Sequence, residues 1–160
     1  MRQLWAPWRM EFLRGGLDSQ ECFLCVAAKQ TDDRATLVIN RGEHCFCLLN
    51  RFPYSNGHLL VCPQRHIGRM DQLNDAEMLE IMQMARDAQA ALQKSVNAHG
   101  YNMGFNLGHA AGAGLEEHLH LHVVPRWIGD TNFMPVIADV KIIPQALEEL
   151  AELLRKNWQQ

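Results

Sequence analysis

Residues 118–125 read His-Leu-His-Leu-His-Val-Val-Pro, with an imidazole at every second position. On an extended strand this alternation sends His118, His120 and His122 to one face while Leu119, Leu121 and Val123 point to the other. On a helix the same spacing would scatter the three rings around the axis. Three imidazoles on one face leave six ring nitrogens needing partners, which marks the segment as a site rather than ordinary core. Imidazoles can bind a metal, carry protons or act as nucleophiles.

Two other features could join them. Cys22-Phe-Leu-Cys25 supplies half of a zinc site, placed on a turn within residues 18–29. The remaining ligands would come from His44, His58, His66, His99, His109 or the three clustered histidines, giving a closed tetrahedral, structural site. His66 stands out because it follows a strand end at Pro63. Unliganded thiols or a redox pair are the alternatives, although the βαβ context of a thioredoxin-type CxxC is missing. The loop Gly108-His-Ala-Ala-Gly-Ala-Gly114 leads into the histidines. Its small residues let backbone N–H groups approach a ligand and form an anion nest, a cradle for phosphate.

The elements that must hold these groups follow from pattern. Residues 36–40 and 44–49 read as strands joined by Arg41-Gly42-Glu43, and residues 57–62 as a strand stopped by Pro63. Asn74-Asp-Ala-Glu77 is a capping box opening one long helix. Met78, Ile81, Met82, Ala85, Leu92 and Val96 recur there as its core stripe, and Gly100 suits its stop. Strands over 101–107 and 118–124 follow. A last helix begins at Pro144 and buries Leu147, Leu150, Ala151 and Leu154. Short connections between strands, with one long helix inserted, predict an α+β fold on a largely antiparallel sheet. No repeat or composition break divides the 160 residues, so one domain is expected.

Composition narrows the partners. A formal charge of −3 lacks the basic excess of a nucleic-acid binder or an acidic-membrane binder. Eleven arginines against four lysines suit bidentate phosphate contacts as well as plain surface solvation. No window of about 18 apolar residues spans a membrane, and the start Met-Arg-Gln-Leu-Trp lacks the apolar run of a signal peptide. Five cysteines cannot all pair within one chain, and Cys45, Cys47 and Cys62 read as buried reduced thiols. A reducing compartment, the cytoplasm, is the expectation.

His-Leu-His-Leu-His-Val-Val after a Gly-rich loop resembles the signature of the histidine-triad superfamily. Residues 49–53 and 57–63 are similar to its ribose strand and the strand after it, so residues 20–128 carry the general pattern. The flanks Leu4-Trp-Ala-Pro-Trp-Arg9 and residues 125–136 resemble its bacterial diadenosine tetraphosphate phosphorylase branch. The resemblance implies a histidine-triad fold with residues 1–20 as a docking segment and residues 129–160 as a C-terminal extension with a helix. It implies His120 as the nucleophile forming a nucleotidyl-histidine and His122 as its assistant at the leaving oxygen. Asn50 falls where the family holds ribose hydroxyls. Asn106 matches a phosphate-side Asn or Gln once one inserted loop residue is allowed, with Gly112, Ala113 and Gly114 beside the phosphates. Zinc-bearing members place the metal on positions matching Cys22, Cys25, His66 and His118, as a structural ion. The implied activity cleaves diadenosine tetraphosphate with inorganic phosphate to ATP and ADP, in a homodimer or higher homo-oligomer. A histidine-triad hydrolase of dinucleoside polyphosphates or nucleoside phosphoramidates, and a non-catalytic nucleotide-binding module, are the competing readings. An intact nucleophile position argues against the module.

Overall fold

The computed structural model describes residues 21–130 and 145–158. The chain runs α1 (Phe23–Lys29), α2 (Asp33–Thr36), β1 (Val38–Arg41), β2 (Cys45–Leu49), β3 (Leu59–Pro63), α3 (Asp75–Val96), β4 (Gly100–Phe105), β5 (Leu121–Arg126) and α4 (Leu147–Trp158). The five strands form one antiparallel sheet in the order β1-β2-β3-β5-β4. The expected α+β architecture is therefore present. Residues 1–20, the flank at 131–136 and the first-turn Pro144 lie outside the described residues.

Strand alternation divides the apolar side chains between two layers. Cys45, Cys47, Leu49, Leu59, Val61, Leu121 and Val123 pack on one face against α3 and α4. Phe46, Leu48, Leu60 and Cys62 pack on the other against Leu24 and Ala27 of α1. Directly opposed residues of an antiparallel pair share a face. The row Leu48–Leu60–His122–Gly104 therefore crosses four strands on the α1 side of the sheet.

The capping box at α3 is formed, with the Asn74 side chain accepting from the Glu77 amide and Glu77 Oε2 accepting from the Asn74 amide. Its buried stripe differs from the one read in sequence. Met78 and Met82 are exposed, while Glu77, Ile81, Met84, Ala85, Ala88, Ala91 and Leu92 face inward. Alanines let the helix approach the sheet closely, so Ala85, Ala88 and Ala91 share its inner face with Ile81, Met84 and Leu92. The Glu77 carboxylate is buried because Arg65 holds both its oxygens, at 2.6 and 2.7 Å. Asn97, in the left-handed conformation, ends the helix (φ 49°), and Gly100 instead opens β4.

Other boundaries also differ from expectation, among them β1, which starts at Val38 because Asp33–Thr36 form α2, and which takes in Arg41. The CxxC lies at the start of a helix rather than on a turn, because Leu24 and Ala27, three apart, both bury against the sheet. Pro63 is the last residue of β3 rather than the stop before it. The triad strand begins at Leu121, not His118. Its pairing with β3 ends at Val61–Leu121, and beyond it the Leu119 amide donates to the Ile67 carbonyl at 2.6 Å. Gly68 permits this contact, since a Cβ there would collide with the Glu116 carbonyl. In α4, Leu150, Ala151 and Leu154 are buried as expected, and Leu147 packs partly buried against the same core.

Candidate active site and metal centre

Leu119, Leu121 and Val123 are buried at 3, 4 and 0% exposure, so the alternation read from sequence holds through the histidines even where the strand does not. The three imidazoles nevertheless serve two different sites. His118 turns toward the CxxC, while His120 and His122 stay together with ring centroids 4.9 Å apart.

His58 and His120 each have a backbone partner that cannot change role, and these partners fix the tautomers, that of His122 through His58. The Tyr54 amide, a donor only, gives its proton to His58 Nδ1 at 3.0 Å, and the Asn50 side-chain amide lies 3.2 Å from the same nitrogen. Neutral His58 must then carry its proton on Nε2 and donate it to His122 Nδ1 at 2.9 Å. His122 in turn carries its own proton on Nε2. That nitrogen is buried and finds no hydrogen-bond partner among the described residues. For His120 the reference is the His118 carbonyl, an acceptor only, 2.7 Å from Nδ1. His120 therefore donates from Nδ1 and keeps a bare lone pair on Nε2.

Burial favours the neutral form of His120 and His122. Burial lowers the His122 pKa to about 4, helped by the neighbouring His120. Burial also lowers His120, against the opposing pull of its bond to the His118 carbonyl. At neutral pH the pair is a lone-pair nitrogen on His120 beside an N–H donor on His122. That is the equipment for attack at an electrophile with proton delivery to a leaving oxygen.

The second site is built from four residues on three segments. Cys22 caps α1, Cys25 sits in its first turn, His66 follows β3, and His118 precedes β5. Their donor atoms all lie within 4.8 Å of one another. Cys25 Sγ is 3.2 Å from His66 Nδ1, and His118 Nδ1 is 3.4 and 3.5 Å from Cys22 Sγ and Cys25 Sγ. The Pro63 carbonyl accepts from His118 Nε2 at 2.9 Å, which leaves Nδ1 as a lone pair aimed at the two thiols. Burial lowers the His118 pKa and so favours the neutral, ligating ring. Burial and the adjacent Cys22 push the Cys25 thiol up, a cost that a bound cation would reverse. Two thiols and two imidazoles converging in this way could hold a metal ion. Cys45, Cys47 and Cys62 are free and buried on the sheet, Cys62 in the apolar layer against which Cys22 packs, and burial raises all three thiols.

The other expected residues join the triad by different routes: Asn50 through His58, and Asn106 and residues 112–114 in the connection from β4 to β5. Asn50 follows β2 and lies beside His58, and its side-chain oxygen accepts from the Phe52 amide at 3.0 Å. Gly104 is the cross-strand partner of His122. Asn106 lies one residue past the Phe105–Leu121 pair, level with His120. The small-residue loop forms a tight turn over His109–Ala111, with Gly112 in a left-handed conformation (φ 83°). Within it the amides of Ala111, Gly112 and Ala113 donate to the Gly108 and His109 carbonyls, so those three point at the turn's own oxygens. Sequence reasoning did not assign His58 to this site. The usable signal was its place two residues before Leu60 on the same face, beside the row that contains His122.

A model of the HIT domain matches residues 31–127. The chain belongs to the HIT family. It is 37% identical to the AP-4-A phosphorylase of Mycobacterium tuberculosis, over 99% of its own length and 85% of that protein's. The HIT fold is also seen in a Zn-bound histidine triad family protein from Mycobacterium smegmatis (TM-score 0.68, 26% identity, 86% of this chain and 93% of that one). A hypothetical histidine triad nucleotide-binding protein from Sulfolobus tokodaii shares the fold with TM-score 0.69 and 23% identity, covering 86% of this chain and 92% of that one. Among the described residues of this HIT protein, no helix is long and apolar enough to cross a membrane.

Proposed function

We propose that this HIT protein is a dinucleoside polyphosphate phosphorylase working through a nucleotidyl-histidine on His120. The observation that carries the reading is the pair of complementary ring nitrogens, the lone pair of His120 Nε2 beside the proton of His122 Nε2. The likeness to the M. tuberculosis AP-4-A phosphorylase over nearly the whole chain supports the substrate class.

In the first step His120 Nε2 attacks the α-phosphorus of diadenosine tetraphosphate. The N–P bond forms as the bond to the bridging oxygen breaks, and ATP departs. His122 Nε2–H stabilises the departing oxygen. The charge that develops on His120 is spread through its Nδ1–H bond to the His118 carbonyl. In the second step an oxygen of inorganic phosphate attacks the same phosphorus, releasing ADP and returning His120 to its neutral state. Asn50 is placed to meet the ribose hydroxyls. Asn106 and the Gly112–Ala113–Gly114 segment line the phosphate side, where the absence of bulky side chains keeps the approach open. Arg126 is a weaker candidate for the phosphates, because Asp130 and Asn102 already hold its guanidinium.

Zinc is the ion we assign to Cys22, Cys25, His66 and His118. With four protein ligands it would be a closed structural site, tying α1, the segment after β3 and the triad entry together. His118 would serve both centres, its ring on the metal and its carbonyl on the nucleophile, so the ion sets the position of His120 without touching substrate. The five reduced cysteines accord with a reducing, cytoplasmic setting, and the assembly we propose is a homodimer or higher homo-oligomer.

Chromatography of the products formed at several phosphate concentrations tests the acceptor. ATP plus ADP, at a rate rising with phosphate, is the expected result. ATP plus AMP at a rate indifferent to phosphate makes the protein a hydrolase.

A further inference from the structure

Helix α1 carries both thiols of the metal centre but is only seven residues long, and such a helix does not persist on its own. Its cap residue Cys22 makes no side-chain hydrogen bond to the helix. Leu24 and Ala27, with Cys22 and Ala28 packed partly buried beside them, fix its distance from the sheet, but apolar packing is non-directional and does not by itself fix its orientation. What holds its far end is one side chain from β1. Arg41 donates from Nη1 to the Ala28 carbonyl at 3.0 Å and from Nη2 to the Ala27 and Gln30 carbonyls at 2.8 Å each. The same guanidinium grips Asp33 Oδ1 through Nε at 2.9 Å and Nη2 at 2.7 Å. Asp33 is itself anchored, since Arg155 of α4 donates to its carbonyl at 2.7 Å and to the Val38 carbonyl at 2.8 Å.

We propose that Arg41 is a positioning residue for the metal centre, clamping the C-terminal end of α1 to β1 and α2 so that Cys22 and Cys25 stay aligned on His66 and His118. The inference rests on the zinc reading above. At about 1.5 Å per residue, the clamped carbonyls of Ala27 and Ala28 lie roughly 3 to 9 Å along α1 from Cys25 and Cys22. A small rotation at one end displaces the sulfurs at the other, and metal ligation tolerates only a few tenths of an ångström. Guanidinium geometry is required, because a lysine ammonium cannot reach helix carbonyls and a carboxylate together in one plane.

The test is competition for zinc between the full-length protein as purified and a chromophoric chelator, run beside thermal melting with and without the ion. Arg41→Met keeps the apolar stem and should weaken zinc binding about 10- to 100-fold, the range for residues that orient metal ligands. Arg41→Lys should recover little of that loss. The melting gain that zinc confers should shrink in both variants, whereas a merely structural arginine would lower the melting of zinc-loaded and zinc-free protein equally. Should Arg41→Met fail to fold, Asp33→Asn loosens the clamp from its other side and should weaken zinc binding by a smaller factor. Wild-type protein that takes up no zinc overturns the metal reading and the clamp with it. Wild-type protein that binds zinc, with variants that bind it equally well, overturns the clamp alone.

Discussion

His58 Nε2 lies 2.9 Å from His122 Nδ1, and this one bond decides which nitrogen of His122 carries a proton. The bond is directional because the Tyr54 amide occupies the other nitrogen of His58 as a donor. A backbone N–H on a loop therefore sets the protonation of a ring two strand segments away. His58 is fully buried, so solvent does not compete for it.

Replacing His58 by Phe keeps a ring in the cavity and removes both bonds. His122 is then free to place its proton on Nδ1, which leaves no donor for the leaving oxygen. kcat should fall about a hundredfold, the scale of a lost proton transfer, with a smaller change in KM. His58→Gln, which offers a carbonyl toward Tyr54 and an N–H toward His122, should recover part of kcat. Steady-state kinetics of the two variants separates this role from simple packing, because a packing role predicts no recovery by Gln.

The fall of the His122 pKa to about 4 from an ordinary 6.5 also makes a statement about stability. A histidine buried neutral binds its proton more readily in the unfolded chain. Between pH 4 and 6.5 the unfolded state therefore holds more protons at this position. Stability rises with pH through that window and is lost as pH falls through it. Urea unfolding at intervals across the window should show this slope in the wild type and a shallower one in His122→Gln. Metal-ligand protonation contributes to both proteins alike, so the difference between the slopes reports His122. Equal slopes would mean that His122 is not held neutral.

For the metal centre, freshly purified protein should carry about one zinc per chain by elemental analysis. Cys22→Ser and His66→Ala should lose it together with thermal stability. If the purified protein holds no metal and chelators leave its melting unchanged, the four side chains are a cluster of thiols and imidazoles and nothing more.

The residues that converge were legible in sequence for different reasons. Alternation alone places Leu119, Leu121 and Val123 in the core and the histidines opposite them, since strand geometry has a period of two whatever the pairing. That His118 leaves for the thiols while His120 and His122 stay together is not a property of the pattern. It depends on Pro63 offering its carbonyl and on the Leu119 amide reaching Ile67, contacts between segments some 50 residues apart. His58 was hidden for the same reason, because only the register Leu60–His122 brings it beside the triad. The α3 stripe held at Ile81, Ala85, Leu92 and Val96 and failed at Met78 and Met82, because methionine counts as apolar in a periodic reading even where its side of the helix faces solvent.

The central claim is that His120 Nε2 becomes covalently bonded to the nucleotide. The most direct measurement is mass spectrometric mapping of protein quenched under alkaline conditions during turnover of diadenosine tetraphosphate, which preserves an acid-labile phosphoramidate. The account predicts an adenylyl group on His120 of the wild type. It also predicts none in His120→Ala, which should bind nucleotide within about an order of magnitude of the wild type but not turn it over. An adduct on another residue, or undiminished turnover by His120→Ala, would contradict it.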